Sequence, residues 1–119
     1  MEMHRELEKL VSLHDLDVMI SDLQHKSVQR QEENLGFSPE TAVKRLQELR
    51  GELEAELSVR YRDMYNQLCG HYGNAVVPVV HGICCGCFTQ LPTILSTASE
   101  RNAEVHTCPT CGRFIYMAD

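Results

Sequence analysis

Apolar residues in the first part of the chain recur at intervals of three and four positions. Two sets follow this spacing: Leu13, Leu16, Ile20 and Leu23, and then Leu46, Leu49, Leu53, Leu57, Tyr61, Met64 and Leu68. Each set forms one apolar stripe flanked by charged residues, which is typical of an amphipathic helix. Neither stripe is wide enough to surround a globular core by itself. We therefore predict that the two helices face each other in an antiparallel coiled-coil hairpin.

A break in this helical pattern at about residues 34–38 predicts the turn of the hairpin. We expect the first helix to span about residues 3–33 and the second helix to begin after Ser38, whose side chain suits a helix cap. Pro39 then takes the first helical position, and Glu40 lies near the positive end of the helix dipole. Only Gly51 interrupts the pattern before about residue 70, so we predict one continuous second helix.

The character of the chain changes after Gly73. Residues 75–80 are mostly β-branched and predict a strand, in which Pro78 favours an edge position or a bulge. Residues 114–116 predict a second strand. A small β module at residues 74–119 is therefore expected to follow the helical hairpin at residues 1–70.

Four of the six cysteines form two C-x-x-C pairs, Cys84 with Cys87 and Cys108 with Cys111, and twenty residues separate the pairs. Two residues between cysteines form a tight turn that directs both thiolates toward one point, and four such ligands complete a tetrahedral site. We predict one structural zinc ion bound by all four thiolates. Because a closed four-thiolate site leaves no coordination position for a substrate, we do not expect an enzyme.

The predicted fold class is mainly α with a small β zinc ribbon: an antiparallel coiled-coil helical hairpin followed by a C-terminal zinc ribbon. The ribbon is too small to bury enough apolar surface alone, so zinc is expected to supply much of its folding free energy. The hairpin has its own apolar seam, and most of its helix is expected to survive chelation. The sequence does not decide whether the ribbon packs against the hairpin.

Disulfide bonds and a redox pair are the alternatives for the paired cysteines. The N-terminal sequence lacks a basic segment followed by an apolar one, so we do not expect secretion. No apolar run approaches the roughly 20 residues needed to span a bilayer, so no membrane insertion is expected. A redox pair normally lies in a thioredoxin-like βαβ unit, which the pattern does not show. Reduced thiols that bind zinc in the cytoplasm fit these observations together.

Other histidines and cysteines are weaker ligand candidates. His81 and His106 each lie two or three residues from a predicted ligand, but four cysteines already complete the coordination shell. Cys85 is either a packing residue in the first turn or a spare thiol, and Cys69 ends the second helix as a small apolar residue. Neither of these two cysteines receives a functional assignment.

The predicted tip of the hairpin combines acidic and apolar residues, namely Glu32, Glu33, Leu35, Phe37 and Glu40. Exposed apolar groups among carboxylates suit a small protein-binding site. Glutamates at the end of the first helix also interact unfavourably with its dipole, which lowers the stability of the helix by up to about 0.3–1 kcal/mol for each glutamate. The alternative is that these glutamates are ordinary solvated residues and that Phe37 folds back onto the start of the second helix as a hydrophobic staple.

The charge of the chain does not favour binding to nucleic acid. The formal net charge is −6. After Gly70 there are two basic residues, Arg101 and Arg113, against the three acidic residues Glu100, Glu104 and Asp119. Few phosphates could be neutralised by this segment, so any binding to DNA or RNA would be weak.

Several segments of the chain match one known pattern. They are Ala75-Val76-Val77-Pro78-Val79, Gly82, Cys84-Cys85-Gly86-Cys87, Leu91-Pro92 and Cys108-Pro109-Thr110-Cys111-Gly112-Arg113-Phe114-Ile115-Tyr116, together with Leu10, Leu13, Leu16, Asp17 and Ile20 in the first helix and Tyr61 and Tyr65 in the second. With these segments the chain resembles bacterial coiled-coil proteins that carry a C-terminal four-cysteine zinc ribbon, found among flagellar and type III secretion accessory proteins. Members of that family usually have a longer coil. The resemblance implies partners of the kinds tied to the family: an alternative sigma factor, secretion ATPases and RNA.

We therefore predict a non-enzymatic zinc-binding adaptor or chaperone-like protein, whose coil and ribbon dock protein partners in flagellar or type III secretion assembly or its regulation. The alternative is a nucleic-acid-binding or RNA polymerase-associated transcription regulator that acts through the zinc ribbon or the acidic hairpin tip. Long hairpins with an acidic tip also resemble factors that enter the polymerase secondary channel, although no clear D-x-x-D-A motif is present. Both a monomer and a homodimer fit, because a second hairpin could cover the apolar edges of a short one.

Overall fold

The computed structural model describes residues 3–29, 39–92 and 102–118 of the chain. Its helices are α1 (Arg5–Gln29), α2 (Pro39–Glu56) and α3 (Val59–Tyr72). Its strands are β1 (Val76–Val80), β2 (Ile83–Cys84), β3 (His106–Thr107) and β4 (Phe114–Met117). The prediction of a mainly α protein with a small C-terminal β region is confirmed.

Helices α1 and α2 pack side by side in opposite directions. The side chain of Lys9, near the start of α1, donates to the backbone carbonyl of Glu56 at the end of α2 at 3.3 Å. Further along the hairpin, Asp17 forms an ion pair with Arg50. The buried apolar side chains of the two helices are Leu7, Leu10, Leu13, Ile20 and Val43. The predicted turn at residues 34–38 lies outside the described residues.

The prediction of one continuous second helix is wrong, because the chain breaks between α2 and α3. Ser58 has extended backbone angles (φ −60°, ψ 150°), and its hydroxyl accepts a hydrogen bond from the N–H of Tyr61 at 3.4 Å as the N-cap of α3. The N–H of Ser58 donates to the carboxylate of Glu6 in α1 at 3.2 Å. Leu57, just before the break, is only 3% exposed. The break therefore turns Leu57 inward. The N–H groups of Ser58 and Tyr61 at this junction each donate to a side-chain oxygen.

The strands form a mixed sheet in the order β2-β1-β4-β3, with β1 and β4 parallel and the other pairs antiparallel. Pro78 therefore lies in an interior strand, and the prediction of an edge or a bulge is wrong. The carbonyl of Ala75 faces β4 and accepts from Phe114, whereas the carbonyl of Pro78 faces β2 and accepts from Cys85 at 3.0 Å. Because β2 ends at Cys84, the missing N–H of Pro78 affects only the position just beyond this short strand, where Cys85 still donates to the Pro78 carbonyl.

One buried cluster joins the helices to the sheet. Its members are Leu10, Leu13, Leu57, Tyr65, Ala75, Val76 and Phe114. The ring of Phe114 packs edge-on against Tyr61 of α3, with 5.8 Å between the ring centroids. The ribbon thus rests on the base of the hairpin, and the two regions share one hydrophobic core.

A polar network fixes the three helices relative to one another. The hydroxyl of Tyr65 in α3 donates to Asp17 in α1 at 2.6 Å, and Asp17 is paired with Arg50 in α2. Arg50 also pairs with Glu54. Burial and the neighbouring Asp17 carboxylate raise the pKa of Tyr65 well above its ordinary value, so this hydroxyl stays a donor. Each of the three helices therefore contributes a side chain to one connected set of hydrogen bonds.

Candidate metal centre

The structure brings the four predicted ligands Cys84, Cys87, Cys108 and Cys111 to one point. Their Sγ atoms all lie within 4.8 Å of one another, with 3.9 Å between Cys84 and Cys111 and 3.7 Å between Cys87 and Cys108. A tetrahedral ion with metal–sulfur bonds of about 2.3 Å requires sulfur atoms about 3.8 Å apart. All six cysteines are free of disulfides. The four thiols therefore fit a single metal ion.

The two cysteine turns have the same backbone hydrogen bonds. The N–H of Phe88 donates to the carbonyl of Cys84 at 2.7 Å, and the N–H of Gly112 donates to the carbonyl of Cys108 at 2.8 Å. The first cysteine of each turn also donates its backbone N–H. The N–H of Cys84 donates to the carbonyl of Thr89 at 3.0 Å, and the N–H of Cys108 donates to the carbonyl of Arg113 at 2.9 Å. Each turn is thus a closed loop that holds its two thiols on the same side.

Three of these thiols, those of Cys84, Cys87 and Cys111, differ in their pKa in the absence of metal. Burial raises the pKa of Cys84, and burial raises the pKa of Cys111 to about 12. The hydroxyl of Thr89, 2.7 Å from the sulfur of Cys87, lowers the pKa of Cys87 to about 6. At neutral pH Cys87 is then already a thiolate, whereas Cys84 and Cys111 carry protons that a metal ion must displace.

Phe88 occupies a strained position directly after the first cysteine pair. Its φ of 59° lies in the left-handed region, and the equivalent position in the second turn is Gly112, with a φ of 80°. Glycine adopts this conformation freely, but a phenylalanine does so at a cost. The Phe88 side chain is also 76% exposed, so burial does not offset this cost. The strain at Phe88 was not predicted from the sequence. Aligning C-G-C-F with P-T-C-G would have indicated it, because Phe88 takes the position that glycine holds in the second turn.

We expect Phe88→Gly to raise the free energy of unfolding of the metal-loaded protein by about 0.5–1 kcal/mol, because glycine relieves the left-handed backbone strain. Denaturant unfolding measures this change. Phe88→Ala is the matched control, since it removes the same ring and keeps a Cβ at positive φ. If both substitutions destabilise the protein equally, Phe88 is a packing residue and the strain argument fails.

Arg113 connects the cysteine turns to helix α3. Its guanidinium lies over the ring of Tyr72, 3.9 Å from the centroid, and the hydroxyl of Tyr72 donates to the carbonyl of Cys111 at 2.7 Å. The guanidinium also lies so close to Gly86 that a Cβ there would overlap it. Arg113 therefore places a fixed positive charge beside the cysteine cluster, where four thiolates around a divalent ion leave a net negative charge.

The other sulfur and imidazole candidates lie outside the cluster. Among the described residues, the group that could hold a metal consists of the four cysteines alone. His81 lies at the turn between β1 and β2, and His106 lies 3.9 Å from Glu104. The thiol of Cys85 turns toward the carbonyl of Ile83, and Cys69 packs on the edge of the shared core.

The candidate partner-binding residues at the hairpin tip are largely outside the described part of the chain. Glu32, Glu33, Leu35 and Phe37 all lie in the range 30–38, which the structure does not describe. Glu40 is described and lies exposed in the first turn of α2. The alternatives for Phe37 therefore stay open.

Across residues 3–29, 39–92 and 102–118, no helix combines the length and apolar character needed to cross a membrane.

The fold is similar to two solved bacterial structures. The HP0958 protein from Helicobacter pylori shares 21% sequence identity with a TM-score of 0.57, over 67% of this chain and 34% of that protein. CT398 from Chlamydia trachomatis shares 20% identity with a TM-score of 0.56, over 66% of this chain and 34% of that protein. The chain thus spans about a third of the length of each structure it matches. No protein-family model and no curated protein matches it in sequence. At these identities the likeness shows that about two thirds of the chain shares a fold with both bacterial proteins.

Proposed function

We propose that this protein is a non-enzymatic adaptor, in which one structural zinc ion holds the C-terminal ribbon together and the hairpin and ribbon each dock a protein partner. In this division the hairpin comprises residues 1–70 and the ribbon residues 74–119. The zinc ligands are Cys84, Cys87, Cys108 and Cys111. We place the protein in the cytoplasm, where thiols stay reduced.

The donor set supports zinc as the metal and a structural role for it. Four thiolates at tetrahedral spacing are typical of structural zinc sites, whereas catalytic sites keep a position open for water or substrate. Cys84 and Cys108 are fully enclosed, with exposures of 0% and 1%. A substrate molecule would have to displace a thiolate to reach the ion, which argues against an enzyme.

The observation that carries the adaptor proposal is that the described parts of the hairpin and the ribbon each expose apolar residues on a shared frame. The shared core and the Tyr65 network hold helices and ribbon together. On the hairpin, Met19 of α1 is 47% exposed. On the ribbon, Ile83 is 41% exposed and the strained Phe88 is 76% exposed. Apolar and strained residues at a surface are common where a partner binds.

The resemblance of the ribbon and coil to flagellar and type III secretion accessory proteins supports a role in the assembly of such a system or in its regulation. HP0958 of Helicobacter pylori and CT398 of Chlamydia trachomatis share this fold over about two thirds of the chain. The hairpin tip around Phe37 is a further candidate surface.

Affinity capture from the source organism tests this proposal. We expect the zinc-loaded protein to retain specific proteins, and Phe88→Gly combined with Ile83→Ser to lose those bound by the ribbon. Val59→Ser is the matched control, since Val59 is 63% exposed on α3 and belongs to neither surface. Failure to retain any protein above the level of an unrelated bait would contradict the adaptor proposal. Loss of all captured material after ribonuclease treatment would favour the nucleic-acid alternative instead.

A further inference from the structure

A groove runs between α1 and α2 on the hairpin. Its volume is about 450 Å³, and its apolar lining consists of Leu16 and Met19 from α1 and Leu49 and Leu53 from α2. Met19 is 47% exposed and the three leucines are partly buried. The three leucines belong to the predicted apolar stripes and Met19 does not, but all four side chains lie outside the core that the helices share with the ribbon or only at its edge. The groove therefore exposes apolar surface that intramolecular packing leaves uncovered.

The charged residues of this groove all have the same sign. Asp15, Glu52 and Glu56 line it, and no basic residue does. None of these three carboxylates has an ion-pair partner among the described residues. The nearby Lys9 contacts Glu6 and the backbone carbonyl of Glu56. The three carboxylates thus leave a negative rim beside an apolar floor.

Several carboxylates elsewhere on the hairpin form ion pairs within the chain. Asp17 and Glu54 are both paired with Arg50, and Glu48 is paired with Arg45. Single acids such as Glu8 and Asp22 also lie outside these ion pairs, but the groove places three unpaired carboxylates around one apolar surface. A positively charged ligand would therefore gain attraction there without displacing an existing ion pair.

The dimensions of the groove match a short helical segment. Its residues extend from Ser12 to Met19 on α1 and from Leu49 to Glu56 on α2, which is two turns or about 10 Å on each helix. A bound amphipathic helix presents anchors at positions i, i+3 or i+4, and i+7 over the same length. Basic residues that flank those anchors would meet the three carboxylates.

We infer that this groove binds a basic amphipathic helix of a partner protein, an inference that rests on the proposed adaptor function and specifies the partner of the hairpin. A second copy of this chain is a poorer occupant. In a two-fold symmetric contact each groove faces its own counterpart, so three carboxylates would meet three carboxylates.

A designed peptide of about 18 residues, with leucine on one helical face and lysine on the other, is the probe. We expect fluorescence anisotropy to show binding to the zinc-loaded protein. A peptide of the same composition with its leucines and lysines permuted, so that no apolar face forms, should bind at least about tenfold more weakly. Glutamate in place of lysine should abolish binding.

Two charge-reversal variants locate the site. Asp15→Lys with Glu52→Lys should weaken binding of the lysine peptide by roughly tenfold, since each replaced contact contributes up to about 1 kcal/mol and becomes repulsive. Glu48→Lys with Asp63→Lys makes the same change in net charge at exposed positions outside the groove. This control should bind as the unaltered protein does. All four substitutions are at the surface, so the fold should survive them.

The inference is overturned if the control variant loses as much affinity as the groove variant, because net charge alone would then explain binding. Equal binding of the permuted peptide, no binding of the lysine peptide, or a solution dimer that buries Met19 would also overturn it. If the lysine peptide does not bind but the ribbon still retains its protein partners, only the identity of the hairpin partner is wrong. If neither surface retains a protein, the adaptor proposal itself fails.

Discussion

Removing one zinc ligand is expected to unfold the ribbon. Cys108→Ser takes away a fully buried thiolate, and the free energy of zinc binding to such sites is about 10–16 kcal/mol, far more than a module of this size stores in its own core. We expect the unaltered protein to contain about one zinc per chain and the variant to contain little. Metal analysis measures the loss of zinc, and near-ultraviolet circular dichroism measures the loss of folded structure in the ribbon.

Cys85→Ser is the matched control, because Cys85 lies between two ligands and its thiol faces the Ile83 carbonyl instead of the cluster. It should keep its zinc and its fold. Equal loss of zinc from Cys85→Ser would show that this thiol is a ligand. A ribbon that stays folded without metal after Cys108→Ser would remove the structural role of zinc.

The grouping of the four cysteines was predicted from the sequence because its geometry is local. Each C-x-x-C turn closes through hydrogen bonds between residues four or five apart, such as Phe88 to Cys84, and needs little help from the rest of the fold. The antiparallel contact of α1 and α2 also followed from a periodic pattern. Structural features that depend on a few neighbouring residues can therefore be predicted from the sequence.

The break at Ser58 was missed because distant contacts decide it. Leu57 continues the apolar stripe, and serine is tolerated inside helices, so the local pattern favoured continuity. What ends α2 is the burial of Leu57 in a core shared with Phe114 and the hydrogen bond from Ser58 to Glu6, which is 52 residues away in sequence. Tertiary packing overrides local propensity at such a junction.

Pro78 shows a different limit. Its assignment to an edge or a bulge assumed a neighbouring strand long enough to need its N–H. Strand β2 has only two residues and ends before the position opposite Pro78, so an interior strand tolerates the missing donor. The Tyr65 network was likewise unpredictable, since Asp17 and Arg50 are ordinary charged residues until the fold places them together.

Replacing Phe114 with alanine is expected to destabilise the helices as well as the ribbon. Phe114 is 0% exposed, packs edge-on against Tyr61 and belongs to the cluster that includes Leu10 and Leu57. Loss of a buried phenylalanine costs about 3–5 kcal/mol. Because the cavity would open between the two regions, we expect helical circular dichroism and the absorption of a cobalt-substituted metal site to be lost together, at a lower temperature than in the unaltered protein.

Phe88→Ala removes the same side chain from a position that is 76% exposed, so it should change the free energy of unfolding by less than about 0.5 kcal/mol. Comparing Phe114→Ala with Phe88→Ala shows whether the hairpin and the ribbon unfold as one cooperative unit or as two independent modules. If Phe114→Ala lowers the melting temperature of the metal site and leaves helical melting unchanged, residues 1–70 fold independently of the ribbon. If both signals shift together, the shared core couples them. A partner bound to the hairpin would then stabilise the ribbon through Phe114 and Tyr61, because ligand binding stabilises every part of a cooperative unit.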